Sequence, residues 1–238
     1  MKHISAFLSI LLLVTFVSCN DNQPAKEEAK AVADSSAASK AQEPPAFQPY
    51  NVTIIQHKVK DFDKWLTVYE AHDSARKASG LTEIALGRGI DDNNEITVAS
   101  KSEDMQKAKN FTNSPELKAA MQKAGVTGPP TISFIKVIRD DNSPIDTKDR
   151  LMIVHHVKDF DAWLKVYDSE GKETRAANGL ADRGLARGVD DPNTVYVLFA
   201  VTDLTKAKAR SASPELKKLM TDAGVDSQPT ISLYKLVK

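Results

Sequence analysis

Apolar residues recur along this chain in two rhythms, one of strands and one of helices. Val52–Val59 and Leu151–Val157 are dense in β-branched and apolar residues, which predicts a strand in each. Phe62, Trp65, Leu66 and Tyr69 fall at i, i+3, i+4 and i+7, a single helical stripe. Asp61 ahead of that stripe is a natural N-cap, and Asp63 sits in the acid-favouring first turn. Gly80 ends the helix as a C′ residue would. Glu83–Ile90 and Glu95–Ser100 then predict two short strands around a turn at Asp91-Asp92-Asn93-Asn94. Asp104–Phe111 is helical in pattern, and Ser114-Pro115-Glu116 restarts a helix with Ser as N-cap and Pro at N1. Gly125 stops it, and Thr131–Ile138 is a last strand. The order is strand, helix, strand, strand, helix, strand.

The whole pattern then repeats. His57, Trp65 and Tyr69 return 98 residues later as His155, Trp163 and Tyr167. Gly80-Leu81, Arg88-Gly89, Ser114-Pro115-Glu116-Leu117 and Pro130-Thr131-Ile132-Ser133 return at an offset of 99, so the second copy has gained one residue before its Gly179-Leu180. Two copies of this length are a duplicated domain, because solenoid repeats are shorter and come in larger numbers. The element order is the split βαβ plan, an antiparallel sheet with helices on one face. The fold class is therefore α+β, with two tandem ferredoxin-like βαββαβ units at 50–139 and 151–238 joined by a polar linker at 140–150. Ile55 and Val59 lie on one parity of the first strand and Ile54 on the other, so the sheet is apolar on both faces and needs a second cover. The twin copy supplies one if the units close into an intramolecular dimeric α/β barrel, with the chain itself a monomer.

Composition narrows the function classes. Lys+Arg and Asp+Glu are both 32, so there is none of the basic excess that drives nucleic-acid binding by counterion release. A single cysteine, Cys19, excludes an internal disulfide framework, a Cys-rich zinc site and a Cys-x-x-Cys redox pair. Residues 1–19 have a short basic start and an apolar run from Ile4 to Val17, too short for the ~20 residues of a comfortable membrane span but suited to a secretory signal. The run ends in Phe16-Val17-Ser18-Cys19, which resembles a bacterial lipobox. On that resemblance the thiol of Cys19 is acylated and becomes the mature N-terminus. The lipid bilayer is then a partner, and the domains sit in the periplasm or at the cell surface. Residues 20–49 are rich in Ala, Glu, Lys, Ser and Pro with few large apolar residues, the composition of a solvated tether.

The pattern His-x-Val-x-Asp-Phe-Asp-x-Trp at His57–Trp65 and His155–Trp163, the acidic hairpins at Asp91 and Asp190, and the Ser-Pro-Glu-Leu motifs at Ser114 and Ser213 carry a resemblance. They resemble small bacterial dimeric α/β-barrel proteins near the antibiotic-biosynthesis-monooxygenase group. The resemblance covers nearly all of both copies. It implies the barrel fold, while the superfamily spans cofactor-free oxygenases, haem-degrading enzymes, isomerases and plain binding modules, so the fold does not choose among them.

Candidate chemistry lies at paired positions. His57 and His155 are either general bases or ligand contacts inside the barrel, or core histidines bonded to a carbonyl. Trp65, Tyr69, Trp163 and Tyr167 are either core or the wall of a ligand site. Arg76 follows Tyr69 by seven residues and Arg175 follows Tyr167 by eight, which returns both to the same helix face. Arg88 and Arg187, flanked by apolar strand residues, must find an anion: an internal ion pair, or a carboxylate- or phenolate-bearing ligand. His155-His156 point to opposite strand faces and no metal-ligand spacing recurs in both copies, so no metal site and no cofactor are expected. Nor is there a Gly-x-Gly-x-x-Gly, a Walker loop or a Gly-x-Ser-x-Gly elbow. The leading reading is a lipid-anchored envelope protein holding a small, partly apolar ligand between sheet and helices. The rivals are a cofactor-free monooxygenase or isomerase with a strand histidine as base, and a structural scaffold.

Overall fold

The computed structural model describes residues 47–237; the expected signal at 1–19 with Cys19, and residues 20–46 of the expected tether, lie outside the described residues. Half one contains β1 (Tyr50–Val59), α1 (Phe62–Ala71), α2 (Asp73–Ala78), β2 (Leu81–Gly89), β3 (Glu95–Ser102), α3 (Met105–Thr112), α4 (Pro115–Lys123) and β4 (Val126–Asp140). Half two repeats it as β5 (Asp149–His156), α5 (Phe160–Glu170), α6 (Lys172–Ala177), β6 (Leu180–Gly188), β7 (Thr194–Val201), α7 (Leu204–Ser211), α8 (Pro214–Asp222) and β8 (Thr230–Leu236). The helices start where their side chains can accept the first free amides: Asp61 from Lys64, Asp159 from Ala162, Ser114 from Leu117 and Ser213 from Leu216.

The helix expected from Asp61 to Gly80 is two helices. In half one the chain breaks at His72. In half two it breaks at Gly171, whose φ of 79° is a conformation that a side chain would strain. The residue gained by the second copy falls here. It makes α5 11 residues against 10 in α1 and places Glu170 at the end of α5.

Each half is a four-stranded antiparallel sheet, and the two sheets join edge to edge into a closed barrel in the order β1-β3-β2-β8-β5-β7-β6-β4. The last strand of each half seals the other: β4 pairs with β6 from Ile135↔Gly188 to Asp140↔Gly184, and β8 with β2 from Gly87↔Leu236 to Gly89↔Tyr234. Closure removes the free edges that would otherwise recruit another chain. The two tandem ferredoxin-like units thus form one dimeric-type α/β barrel within a single chain.

The two sheet faces bury different sets. Val52, Ile54, Ile135, Val137, Met152, Ala186 and Tyr234, drawn from both halves, pack together inside the barrel. Each Val, Ile or Met among them contributes ~1.5–3 kcal/mol when fully removed from water, and the set is complete only when both halves supply it. The outer faces are covered by helices: in half one Val59, Phe62, Trp65, Leu86, Ile96 and Val98 pack between β1–β3 and α1. Leu151, Val157, Phe160, Trp163, Val195 and Val197 do the same in half two.

Candidate functional site

Strand alternation decides where the histidines go. On β1, Val52, Ile54 and Gln56 point into the barrel, so Thr53, Ile55 and His57 point outward to the helices. His57 and His155 are therefore not inside the barrel, as the sequence reading had allowed; each lies between its own sheet and helices. Their rings stand 5.4 Å from the indoles of Trp65 and Trp163, tilted by 51° and 57°.

The helix stripe continues the column. Trp65 stacks on Tyr69 at 4.7 Å and 15°, and Trp163 on Tyr167 at 5.1 Å and 20°. The guanidinium of Arg76 covers the other side of Tyr69 at 3.7 Å, and that of Arg175 covers Tyr167 at 3.9 Å. The i, i+4 spacing aligns indole and phenol, and the arginine comes from the next helix, α2 or α6. Each half thus carries an imidazole–indole–phenol–guanidinium column beside a small cavity, of about 50 Å³ in half one and about 90 Å³ in half two.

The histidines are the unusual element. His57 and His155 are only 9% and 5% exposed, and none of their four ring nitrogens has a hydrogen-bond partner among the described residues. Burial pushes both imidazoles down to about 4, so they are neutral near pH 7. A neutral imidazole offers one donor and one acceptor. Leaving such groups buried and unpaired costs ~1–3 kcal/mol each, and native cores avoid it.

The two columns end differently. In half one the Tyr69 hydroxyl donates to Glu83 at 2.5 Å, while Arg76 donates to the Tyr69 carbonyl and pairs with the half-exposed Asp73. Burial and the Glu83 contact hold that phenol protonated. His72 and Phe111, with ring centroids 6.0 Å apart, close the pocket rim. In half two Arg175 binds Asp182 through two bonds of 2.8 and 2.7 Å, and the inserted Glu170 pairs with Arg210 at 2.6 Å and with Arg175 at 3.5 Å. Arg210 stands where half one has Phe111. One rim is aromatic and the other is an ion-pair network. The sequence reading missed Glu170, Arg210, His72 and Phe111; the single-residue insertion was the only signal for the first.

Arg88 and Arg187 do not join either column. Each lies near the end of its strand with its guanidinium over a phenyl ring, Arg88 on Phe62 at 3.9 Å and Arg187 on Phe160 at 3.8 Å. Each donates to a hairpin carbonyl, of Asn93 or Pro192. An aromatic face and a backbone oxygen meet the need that had suggested a ligand anion. A concavity of about 780 Å³ is an open groove between α7, β8 and the strand ends of half one. His57 only borders it, and its walls hold none of the stacked aromatic residues.

No family model matches the chain, and no curated protein matches it. Solved structures do. A protein from Fusobacterium nucleatum carrying a provisional monooxygenase name aligns at 13% identity over 80% of this chain and 93% of its own, with a TM-score of 0.52. An anthrone oxidase-like protein aligns at 13% identity over 79% and 92%, with a TM-score of 0.55. A provisionally named chlorite dismutase aligns at 14% identity over 81% and 96%, with a TM-score of 0.50. The likeness is one of fold. It extends across both halves, so the barrel architecture is shared and the chemistry has to be argued from the residues of this chain.

Proposed function

We propose that each half binds a small, largely apolar ring compound against its Trp–Tyr stack, with the buried histidine as its hydrogen-bond partner. The observation that carries this reading is the pair of buried imidazoles with no partner on either nitrogen among the described residues. A ligand hydroxyl, phenol or carbonyl would satisfy them, and the apolar walls would take the ring. A core built only for support would gain from Leu at these positions, so their polarity argues against a scaffold.

The second reading, cofactor-free oxygenation or isomerisation with His57 or His155 as base, draws on the shared fold with monooxygenase-like proteins. The chemistry weighs against it. A general base works best when its pKa lies near the operating pH, and a group at about 4 holds a proton too weakly to take one from a phenol or an activated carbon. Binding is the function these histidines suit. The proposal includes attachment to the bacterial envelope through acylated Cys19, on the pattern of residues 1–19.

The experiment uses the protein's own probes. Trp65 and Trp163 are the only tryptophans, one per pocket. Trp163→Phe leaves half one reporting alone and Trp65→Phe leaves half two. Titration with 2-naphthol should quench the remaining indole, and naphthalene should bind about tenfold more weakly because it cannot satisfy the imidazole. Equal affinity for the two compounds, or no quenching in either variant, would refute the reading.

A further inference from the structure

The interior of the barrel is a further, separate cavity. It encloses about 430 Å³ and is lined from all eight strands, by Val52, Ile54 and Val137 from half one and Met152, Leu198 and Leu236 from half two among others. That volume lies within the ~300–1,000 Å³ of small-molecule sites. At one end the side chain of Gln56 crosses between the halves, donating to Thr97 at 3.3 Å and to Ser232 at 3.0 Å. At the other end the strands open, and the lip is chemically lopsided.

Arg150 and Arg183 stand on the lip contributed by half two. The equivalent positions in half one are Val52 and Ile84, and Ile84 is 49% exposed, an unusual state for a large apolar side chain. Arg150 donates only to backbone carbonyls, those of Thr147 at 2.8 Å and Asp149 at 3.0 Å, both from one nitrogen. It has no carboxylate partner among the described residues. Arg183 donates to the Ser143 carbonyl at 2.7 Å and makes only a loose ion pair with Asp141 at 3.9 Å, which leaves Arg150 as the cation of the lip without a paired carboxylate. The other carboxylate of the lip, Asp140, is already engaged by the Tyr50 hydroxyl and the Asn142 amide, both at 2.8 Å. Burial first, then the neighbouring charge of Arg183, weaken the hold of Arg150 on its proton, and the nearby Tyr234 and Asp149 do not offset them. A charge in that position needs an anion.

We propose that the barrel interior binds an amphipathic carboxylate, with its hydrocarbon chain among the inward-facing apolar residues and its head group held by Arg150 and Arg183. A planar guanidinium with an unused edge is suited to bidentate carboxylate binding. The apolar lip at Ile84 covers the first carbons of the chain where they leave the head group. The site is independent of the two histidine pockets, which lie on the opposite face of the sheet.

The test is competition for a fluorescent polyene carboxylate, cis-parinarate, on the full chain. Decanoate should displace it, and decanol and decylamine should be at least about tenfold weaker, since the charged contact is lost. Arg150→Gln should weaken decanoate by about tenfold and leave decanol unchanged. Ala99→Phe, which fills the interior from β3, should abolish binding of all three, while His57→Leu and His155→Leu should not alter it. Three results would overturn the proposal. They are equal affinity for decanoate and decanol, decanoate binding that ignores Arg150→Gln, and binding removed by the histidine variants instead. Circular dichroism on Ala99→Phe separates loss of the site from loss of the fold, and Arg150→Gln on the lip decides the outcome if that variant fails to fold.

Discussion

The His57 imidazole and the Trp65 indole meet at 5.4 Å between β1 and α1, and neither imidazole nitrogen has a hydrogen-bond partner among the described residues. The same pair recurs at His155 and Trp163. An unpaired buried group that survives in both copies opposes stability, so removing it separates stability from binding. His57→Leu with His155→Leu should raise the urea midpoint at neutral pH, by the equivalent of ~1–3 kcal/mol per site, while abolishing the naphthol preference. Equilibrium unfolding of the double variant checks the sign. A destabilised variant would mean that the imidazoles have partners.

The same histidines set the acid sensitivity. Both are held at about 4 in the fold against an ordinary 6.5, so the unfolded chain binds more protons between those values. Stability should therefore fall as pH drops from about 6.5 to about 4, by roughly 3 kcal/mol per histidine. His156 acts in the opposite sense, because its hydrogen bond to Asp226 raises its affinity for a proton and its contribution is lost as pH rises. Urea midpoints taken across this range on the wild type and on the double Leu variant should converge toward neutral pH only after the fixed offset is subtracted. A parallel pair of curves would remove the histidines as the cause.

The two arginine columns should differ in cost. Arg175→Ala removes both bonds to Asp182, which is 28% exposed, while Glu170 keeps Arg210, and should destabilise by about 2–3 kcal/mol. Arg76→Ala frees the half-exposed Asp73 and loses a carbonyl contact and one stacked face, which should cost about 1–2 kcal/mol. Thermal unfolding of the two single variants decides whether the ion-pair network of half two is the stiffer support.

The two seams are packed by exchange of bulk. At one, Gly87 lies against the ring of Tyr234, and a Cβ on Gly87 would come within 2.2 Å of it. The equivalent residues of the other seam are Ala186 and Ile135, a larger strand residue facing a smaller partner. Gly87→Ala should destabilise by roughly 1–3 kcal/mol through overpacking against a rigid ring, and Tyr234→Ile in the same chain should recover much of that loss. Unfolding of the single and double variants tests the coupling.

Local chemistry made much of the fold legible. The duplication, the element order and the caps at Asp61, Asp159, Ser114 and Ser213 follow from residues within a turn of one another, and so does the stop at Gly80. The aromatic column was half legible, because i, i+4 spacing brings Trp65 and Tyr69 together but does not say what lies beside them. What the tertiary structure alone decided is which way each strand faces. β1 is apolar on both parities, so its sequence is compatible with His57 inside the barrel or against the helices, and only the packing of α1 fixes the second. The partners of Arg88, and the pairing of Glu170 with Arg210 40 residues on, are likewise products of approach through space. So is the lopsided lip of Arg150 and Arg183, which no spacing along the chain encodes because its other side belongs to the first copy.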